Sequence, residues 1–391
     1  MDVFVADWLN LILRWAHLVV GIGWIGTSFY FVALDLGLRK NPNSAPGVFG
    51  EQWQVHGGGF YHIDKFTVAP PQLPENLVWF RWEAYLTWMT GFGLLVVQYY
   101  WNARAYLIDP TVLDIAPLTA IAISVATLAL GWFVYDLICR SPIGERPVLL
   151  SVVVFVLIVA ASYGLGQVFS GRGAFIHIGS LIGTIMAVNV FFVIIPNQKK
   201  LVAQLQAGQA PDPRYGAIGK QRSVHNNYLT LPVLLTMVSN HYPMLYSHPY
   251  SWLVVALIIV VGGLVRHLIN RHDAGDDFNA YSWAAPVAAI ALASAITVTA
   301  PRAATSSMEV ADSEVLQIVN HHCAVCHSRR PKHPGFAEAP KDMRLETLRD
   351  LRQYARLVRV QAVQSNAMPL GNETRMTREE REKLGAWLGN R

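Results

Sequence analysis

Long apolar runs separated by short polar stretches fill the first three hundred positions of the chain. Crossing a hydrocarbon core of ~30 Å takes about 20 residues. Eight runs meet that length as predicted helices, near 8–36, 79–101, 116–139, 147–169, 174–196, 224–242, 250–269 and 283–301. Between the first two, "GGGFYHIDKF" and "APPQLPEN" are dense in Gly and Pro, which predicts ordered turns rather than another span. A connection that long is expected to serve function. After a polar, proline-flanked stretch near 301–309 the pattern changes to three shorter helical segments, "DSEVLQIVNHHCAVCH", "LETLRDLRQYARLVRVQAV" and "TREEREKLGAWL". Thr377 and Glu380 have capping-box spacing before the last of these. The expected fold class is all-α, with an eight-helix membrane bundle over 1–301, a linker over 302–309 and a small domain over 310–391.

Composition supports the division: 53% of residues are hydrophobic and 15% charged, with the charge gathered in loops and in the last eighty or so positions. Asp2, Asp7 and Arg14 flank an apolar run too long for a cleavable signal, so the first segment is expected to remain as a spanning helix. The 12 Trp and 15 Tyr suit interfacial belts or bundle packing and identify no ligand. The net charge of +5 is accounted for by membrane-flanking loops and the C-terminal domain, so no nucleic-acid partner is expected. Cys139, at the end of an apolar helix, reads as an inert core thiol.

Charge also orients the bundle. With the N-terminus outside, the inner connections hold Arg39, Lys40, Lys65, Arg140, Arg146, Lys199, Lys200, Arg214, Lys220, Arg222 and Arg271, whereas the outer ones hold Arg104 and Arg172. Eight spans then return the C-terminal domain to the outside, the periplasm of a bacterial inner membrane.

That domain carries "CAVCH". Two thiols at this spacing can add to both vinyl groups of one haem, with the adjacent histidine held on the iron. Cys323 and Cys326 are the expected attachment residues and His327 the proximal ligand, in a domain similar to class I cytochromes c. A zinc site using His321, His322 or His333 is the bland alternative. Met368, before the turn-stiffening Pro369 in "SNAMPLGN", is the expected sixth ligand, with Met343 and Met376 as competitors. Trp387 is expected to pack on the domain's first helix. Arg349, Arg352, Arg356 and Arg359 form either a solvated face or a steering surface for an acidic or membrane-bound partner.

Ionisable groups inside spans point to function, although each can equally serve as an interhelical hydrogen bond. His17 (with Arg14), His177 and His241 fall toward the outer side. His225, His267, Arg81 and Glu83 fall toward the inner side, and Asn189 lies within the fifth run. A substrate oxidised near the inner face would place its electrons most of a ~30 Å core away from the C-terminal haem. Either the substrate site lies toward the outer side, or a second centre intervenes, such as a b-type haem on His17, His177 or His241.

Taken together, "RWAHLVVGIGWIGTSFYFVALD", "HGGGFYHIDKF" running into "LVWFRWEAYLTWMTGF", "HNNYLTLPVLLTMVSNHYP" and "CAVCH…NAMPLGNETRMTREEREKLGAWL" resemble the bacterial membrane-bound, cytochrome c-fused urate oxidases, also called urate hydroxylases, over essentially the whole chain. The first helix also resembles haem-binding membrane families with a histidine in the first span. The resemblance implies oxidation of urate to 5-hydroxyisourate, with electrons leaving through haem c to a soluble or membrane cytochrome or terminal oxidase rather than to peroxide. A flat anionic heterocycle requires a base, cationic or amide anchors and a stacking wall. His225, Asn226, Asn227, Arg81, Glu83, Trp82 and the His56–His62 loop supply these on the inner side, and Arg14, His17, His177 and His241 compete on the outer side. A quinol-oxidising relay cytochrome and a transporter or copper-handling bundle are the rival readings.

Overall fold

An apolar run unbroken by proline forms the 35-residue helix α1 (Val3–Gly37). The computed structural model describes residues 3–277, 279–299 and 309–389, so the expected linker 302–309 lies outside the described residues except for Glu309. After α1 comes an antiparallel hairpin, β1 (Val48–His56) and β2 (Gly59–Phe66). It corrects the all-α expectation: the segment read as turns is a two-stranded sheet. Gly57 and Gly58, at φ 57° and 81°, make the two-residue turn, a conformation that glycine adopts without steric penalty and that matches strand twist.

Helix α2 (Trp82–Leu95) packs along α1 and passes into a π turn at Val96–Tyr100, followed by the single turn α3 (Ala103–Tyr106). Helices α4 (Pro117–Arg140) and α5 (Pro147–Gly166) begin on proline, which has no N–H to leave unpaired there. Ser170 Oγ accepts the Gly173 N–H at 3.0 Å to cap α6 (Gly171–Val188). This helix continues through a π turn, Asn189–Ile194, into α7 (Ile195–Gln206). Then come α8 (Pro213–Val238), the short α9 (Pro243–Tyr246), α10 (Ser251–Asp273) and α11 (Ala284–Val298).

Six stretches among the described residues are long and apolar enough to cross a membrane: Phe4–Gly37, Pro117–Arg140, Pro147–Gly166, Gly171–Gln206, Ser251–Asp273 and Ala280–Val298. The second and sixth of the eight expected runs are not among them. The α-helical part of α2 has only 14 residues, and α8 carries Arg214, Lys220 and Arg222 in its first half. α6 is central, packed by α2, α4, α5 and α8. Outward residues such as Leu18, Leu130, Phe133, Val148, Val152 and Leu292 are exposed. Apolar surface on that scale needs a partner, and helices with internally paired backbones are what hydrocarbon accepts.

Beyond the bundle, α12 (Asp312–His322), α13 (Leu348–Gln353), α14 (Ala355–Val358) and α15 (Arg378–Gly389) surround a separate core that includes Val315, Val319, Leu351, Leu384 and Trp387. The Trp387 indole donates to Asp312 at 2.8 Å, so it packs against the first helix as expected. Thr377 and Glu380 form the expected reciprocal cap. The middle segment, expected as one helix, is broken: α13 stops at Tyr354, and α14 runs into a π turn at Arg359–Val363.

One loop joins the two cores. Gly371, at φ 58°, lies so close to the Arg104 and Ala105 carbonyls that a Cβ would stand 2.7 Å from the Ala105 oxygen. Arg375 pairs with Asp114 at 2.6 Å. This side of the bundle is the docking end. The hairpin marks the opposite end, where Lys65 and Lys220 both bond Asp35 of α1.

Candidate functional site

The C-terminal motif is a compact turn. Cys323 caps α12 with its N–H on Val319 O at 2.8 Å, and the His327 N–H reaches Cys323 O at 2.8 Å. Both thiols are free. Burial pushes Cys323 up to about 12 and Cys326 up to about 11. His327 Nδ1 lies 2.8 Å from the Met343 carbonyl; as a donor there it leaves Nε2 with the lone pair a metal takes. Burial also lowers the His327 pKa, favouring the neutral ring.

Met368 packs on the same core as Cys323. Its carbonyl accepts from Arg381 Nη1 at 2.6 Å, and the same nitrogen donates to Ala362 O at 2.6 Å. A buried guanidinium therefore pins the loop that carries Met368. Met376 is enclosed in the core, and Met343 uses its carbonyl on His327. Two free thiols, an imidazole fixed through its backbone partner and a methionine on a pinned loop fit a covalently attached haem.

A zinc reading fares worse on this geometry. His322 is engaged by Thr374 at 2.7 Å and Glu380 at 3.1 Å, and His333 by Glu373 at 2.8 Å. Among the described residues, the only His, Cys and acid group close enough to share a cation is Glu51, His62 and Asp64 on the hairpin, without either cysteine of the motif.

Acid should loosen this C-terminal core. Burial raises the Glu380 carboxyl, but hydrogen bonds from Thr377 and His322 more than offset it and hold it down at about 2. Its stabilisation is thus present above the unfolded value of 4.5 and is lost as pH falls from there toward 2. Burial lowers His322 despite Glu380, so protonation of the unfolded chain below 6.5 acts in the same direction. Hydrogen exchange in α12 and α15, corrected for intrinsic rates, should accelerate between pH 6.5 and pH 3; constant protection would contradict this.

At the docking end a cavity of about 220 Å³ is walled by α3, the α5–α6 turn, the α9–α10 turn and residues 366, 367, 370 and 371. Arg172, in the first turn of α6, donates through Nη2 to the Tyr246 hydroxyl at 3.1 Å and lies over its ring. Ser247 Oγ, in the same wall, is buried without a partner. Asp109 Oδ1 accepts from the Thr111 N–H at 2.9 Å and its hydroxyl at 2.6 Å.

At the hairpin end a larger cavity of about 710 Å³ is lined by Trp24, Phe31, Lys220, Asn226, Asn227 and His267, among others. Nearby, Tyr135 OH meets His225 Nδ1 at 2.7 Å, and Asn189 donates to Tyr135 OH at 3.1 Å and to Asn226 Oδ1 at 3.2 Å. Arg222 pairs with Asp136 at 2.7 Å, and Asp136 also holds Arg140 at 2.6 Å.

The structure brings Asn226, Asn227 and, through Asn189 and Tyr135, His225 together. Arg81, Trp82 and Glu83 sit at the start of α2, with Arg81 over the exposed Trp82 ring, and do not line this cavity. His62 is on the hairpin, stacked with Trp53, and His56 ends β1 beside the turn. The outer set does not converge. His17 Nδ1 bonds Thr87 O and Thr90 across to α2, and Arg14 bonds Gln98. His177 has both nitrogens engaged, by Ser124 at 2.6 Å and Gly173 O at 2.6 Å. His241 is exposed in the turn after α8. None of these three histidines lines either cavity.

Sequence reasoning missed Asp136, whose signal was an acid inside an apolar helix four residues before Arg140. It counted Arg172 only as a loop charge, although "FSGRG" places it just inside a capped helix.

Residues 3–299, which carry both cavities except for the 366–371 wall, match the family described as Urate oxidase N-terminal. The chain belongs to the urate oxidase N-terminal family. No curated protein and no solved structure matches it. Membership in the urate oxidase N-terminal family makes urate oxidation the activity to be explained. The family's extent ends at the boundary between α11 and the second core.

Proposed function

We propose that the chain is a multi-pass membrane urate oxidase whose electrons leave through a haem c held by its C-terminal core. α2 with its π turn and α8 complete eight crossings, which puts the docking end and the C-terminal core on the periplasmic side, in agreement with the Lys and Arg bias. Urate and water give 5-hydroxyisourate, two protons and two electrons. Cys323 and Cys326 would attach the haem, and His327 and Met368 would ligate its iron. When bound there, the haem accepts electrons one at a time, and a soluble or membrane cytochrome or terminal oxidase takes them onward. Arg381 holds the Met368 loop in place, and Gly371 seats that loop on α3. The observation that carries the reading is this contact: the loop expected to supply the sixth ligand touches the family domain, at α3.

Pyridine haemochrome assay of the purified protein should find one haem c per chain that resists acid–acetone extraction. The double variant Cys323→Ser, Cys326→Ser should retain none. Met368→Ala should keep its haem, lose the methionine–iron band and shift to a lower potential. A wild-type protein without covalent haem would sink the electron-exit reading.

A further inference from the structure

We propose that the docking-end cavity is the site where the purine is bound and oxidised, with Arg172 as its anion anchor; this rests on the urate oxidase reading above. Proximity carries the argument. The cavity wall includes Ala367, the chain neighbour of Met368, together with Leu370 and Gly371. A ligand there touches the loop that carries Met368. The hairpin-end cavity lies at the other end of helices long enough to cross a ~30 Å core, too far for one efficient electron step.

The wall chemistry suits a planar oxopurine anion. Arg172 spends one nitrogen on Tyr246, and its fork carries further donors. It stands in the first turn of an 18-residue helix, whose positive end favours an anion. Tyr106, Tyr163, Tyr246 and Trp252 offer rings for stacking. The Gln167 and Asn366 amides can read carbonyl and ring N–H groups. Ser247, whose Oγ is buried without a protein hydrogen-bond partner, belongs to this wall.

Asp109 also lines the cavity. Its bonds to Thr111 fall on Oδ1, which leaves Oδ2 to take the proton lost by the attacking water. The two electrons leave singly toward the Met368 loop, and the second proton leaves from the purine ring. Because family-domain helices and the C-terminal loop share the wall, the site is complete only when the two parts are docked.

The test uses the full-length holoprotein reduced with dithionite, which can bind urate but cannot accept its electrons. Equilibrium dialysis with labelled urate gives a dissociation constant without turnover. Arg172→Gln should weaken binding by roughly 10- to 100-fold, the range for a hydrogen bond to a charged group, and Arg172→Lys should recover part of it. Ser247→Leu, which puts bulk into the cavity, should abolish binding while the haem spectrum stays that of wild type. Wild-type affinity in both Arg172→Gln and Ser247→Leu, or loss of binding in Asn226→Ala with Arg172→Gln unaffected, would overturn the assignment. A wild-type protein that neither binds urate nor is reduced by it would instead remove the urate reading on which the inference rests.

Discussion

Replacing Asp136 with alanine is expected to prevent accumulation of folded protein. The carboxylate pairs with Arg222 at 2.7 Å through Oδ1 and with Arg140 at 2.6 Å through Oδ2. The Arg222 side chain is only 1% exposed, and its Nε and Nη1 already lack protein partners. With Asp136 gone the guanidinium loses the carboxylate that pairs with it and keeps the uncharged Tyr135 ring beside it. Breaking a buried ion pair from one side costs about 3–5 kcal/mol because the remaining charge stays desolvated, a large share of a typical folding free energy. The double change Asp136→Ala, Arg222→Met should recover much of the loss, since a well-packed apolar pair can substitute for a buried ionic one. Size-exclusion chromatography of detergent extracts after a temperature ramp reads both variants. A single variant as heat-resistant as wild type would show that the pair is not holding α4 to α8.

Gly371→Ala should separate the two halves of the reaction. The added methyl meets the Arg104 and Ala105 carbonyls, and the backbone at φ 58° disfavours a side chain. Strain of this type costs on the order of 1–3 kcal/mol before the overlap is counted. The loop should lift from α3 while the core around Leu351 and Trp387, which does not involve Gly371, keeps its fold. Haem content and the absorption spectrum should match wild type, yet reduction by urate in stopped flow should slow at least tenfold, on the order of 1.4 kcal/mol or more. Wild-type reduction rates in this variant would mean that electrons do not depend on the docked loop.

Some of this architecture is legible residue by residue. Helices α1, α4, α5 and α10 announce themselves because a hydrocarbon surround leaves little need for a polar face, and α6 because it is enclosed by other helices. The Thr377 cap and the Cys323–His327 turn are local in sequence, so their geometry follows from spacing alone. The hairpin was hidden because Gly57, Gly58 and the later prolines read as turn chemistry, although "QWQVH" alternates as a strand does. α8 looks polar from Arg214 to Asn227 because its first turns are largely exposed, with Arg214 and Lys220 paired to Asp212 and Asp35, while Arg222, Asn226 and Asn227 turn into buried networks. The docking-end cavity was the least visible. Asp109, Arg172, Ser247 and Asn366 come from four separate segments, and only tertiary packing brings them to one wall.

Anaerobic titration of oxidised, purified protein with urate, followed through the haem absorption bands, tests the central claim most directly. The account predicts reduction of haem c, with one urate consumed for every two electrons and 5-hydroxyisourate formed. Haem that stays oxidised with urate but is reduced by a quinol would contradict it and make the chain an electron relay.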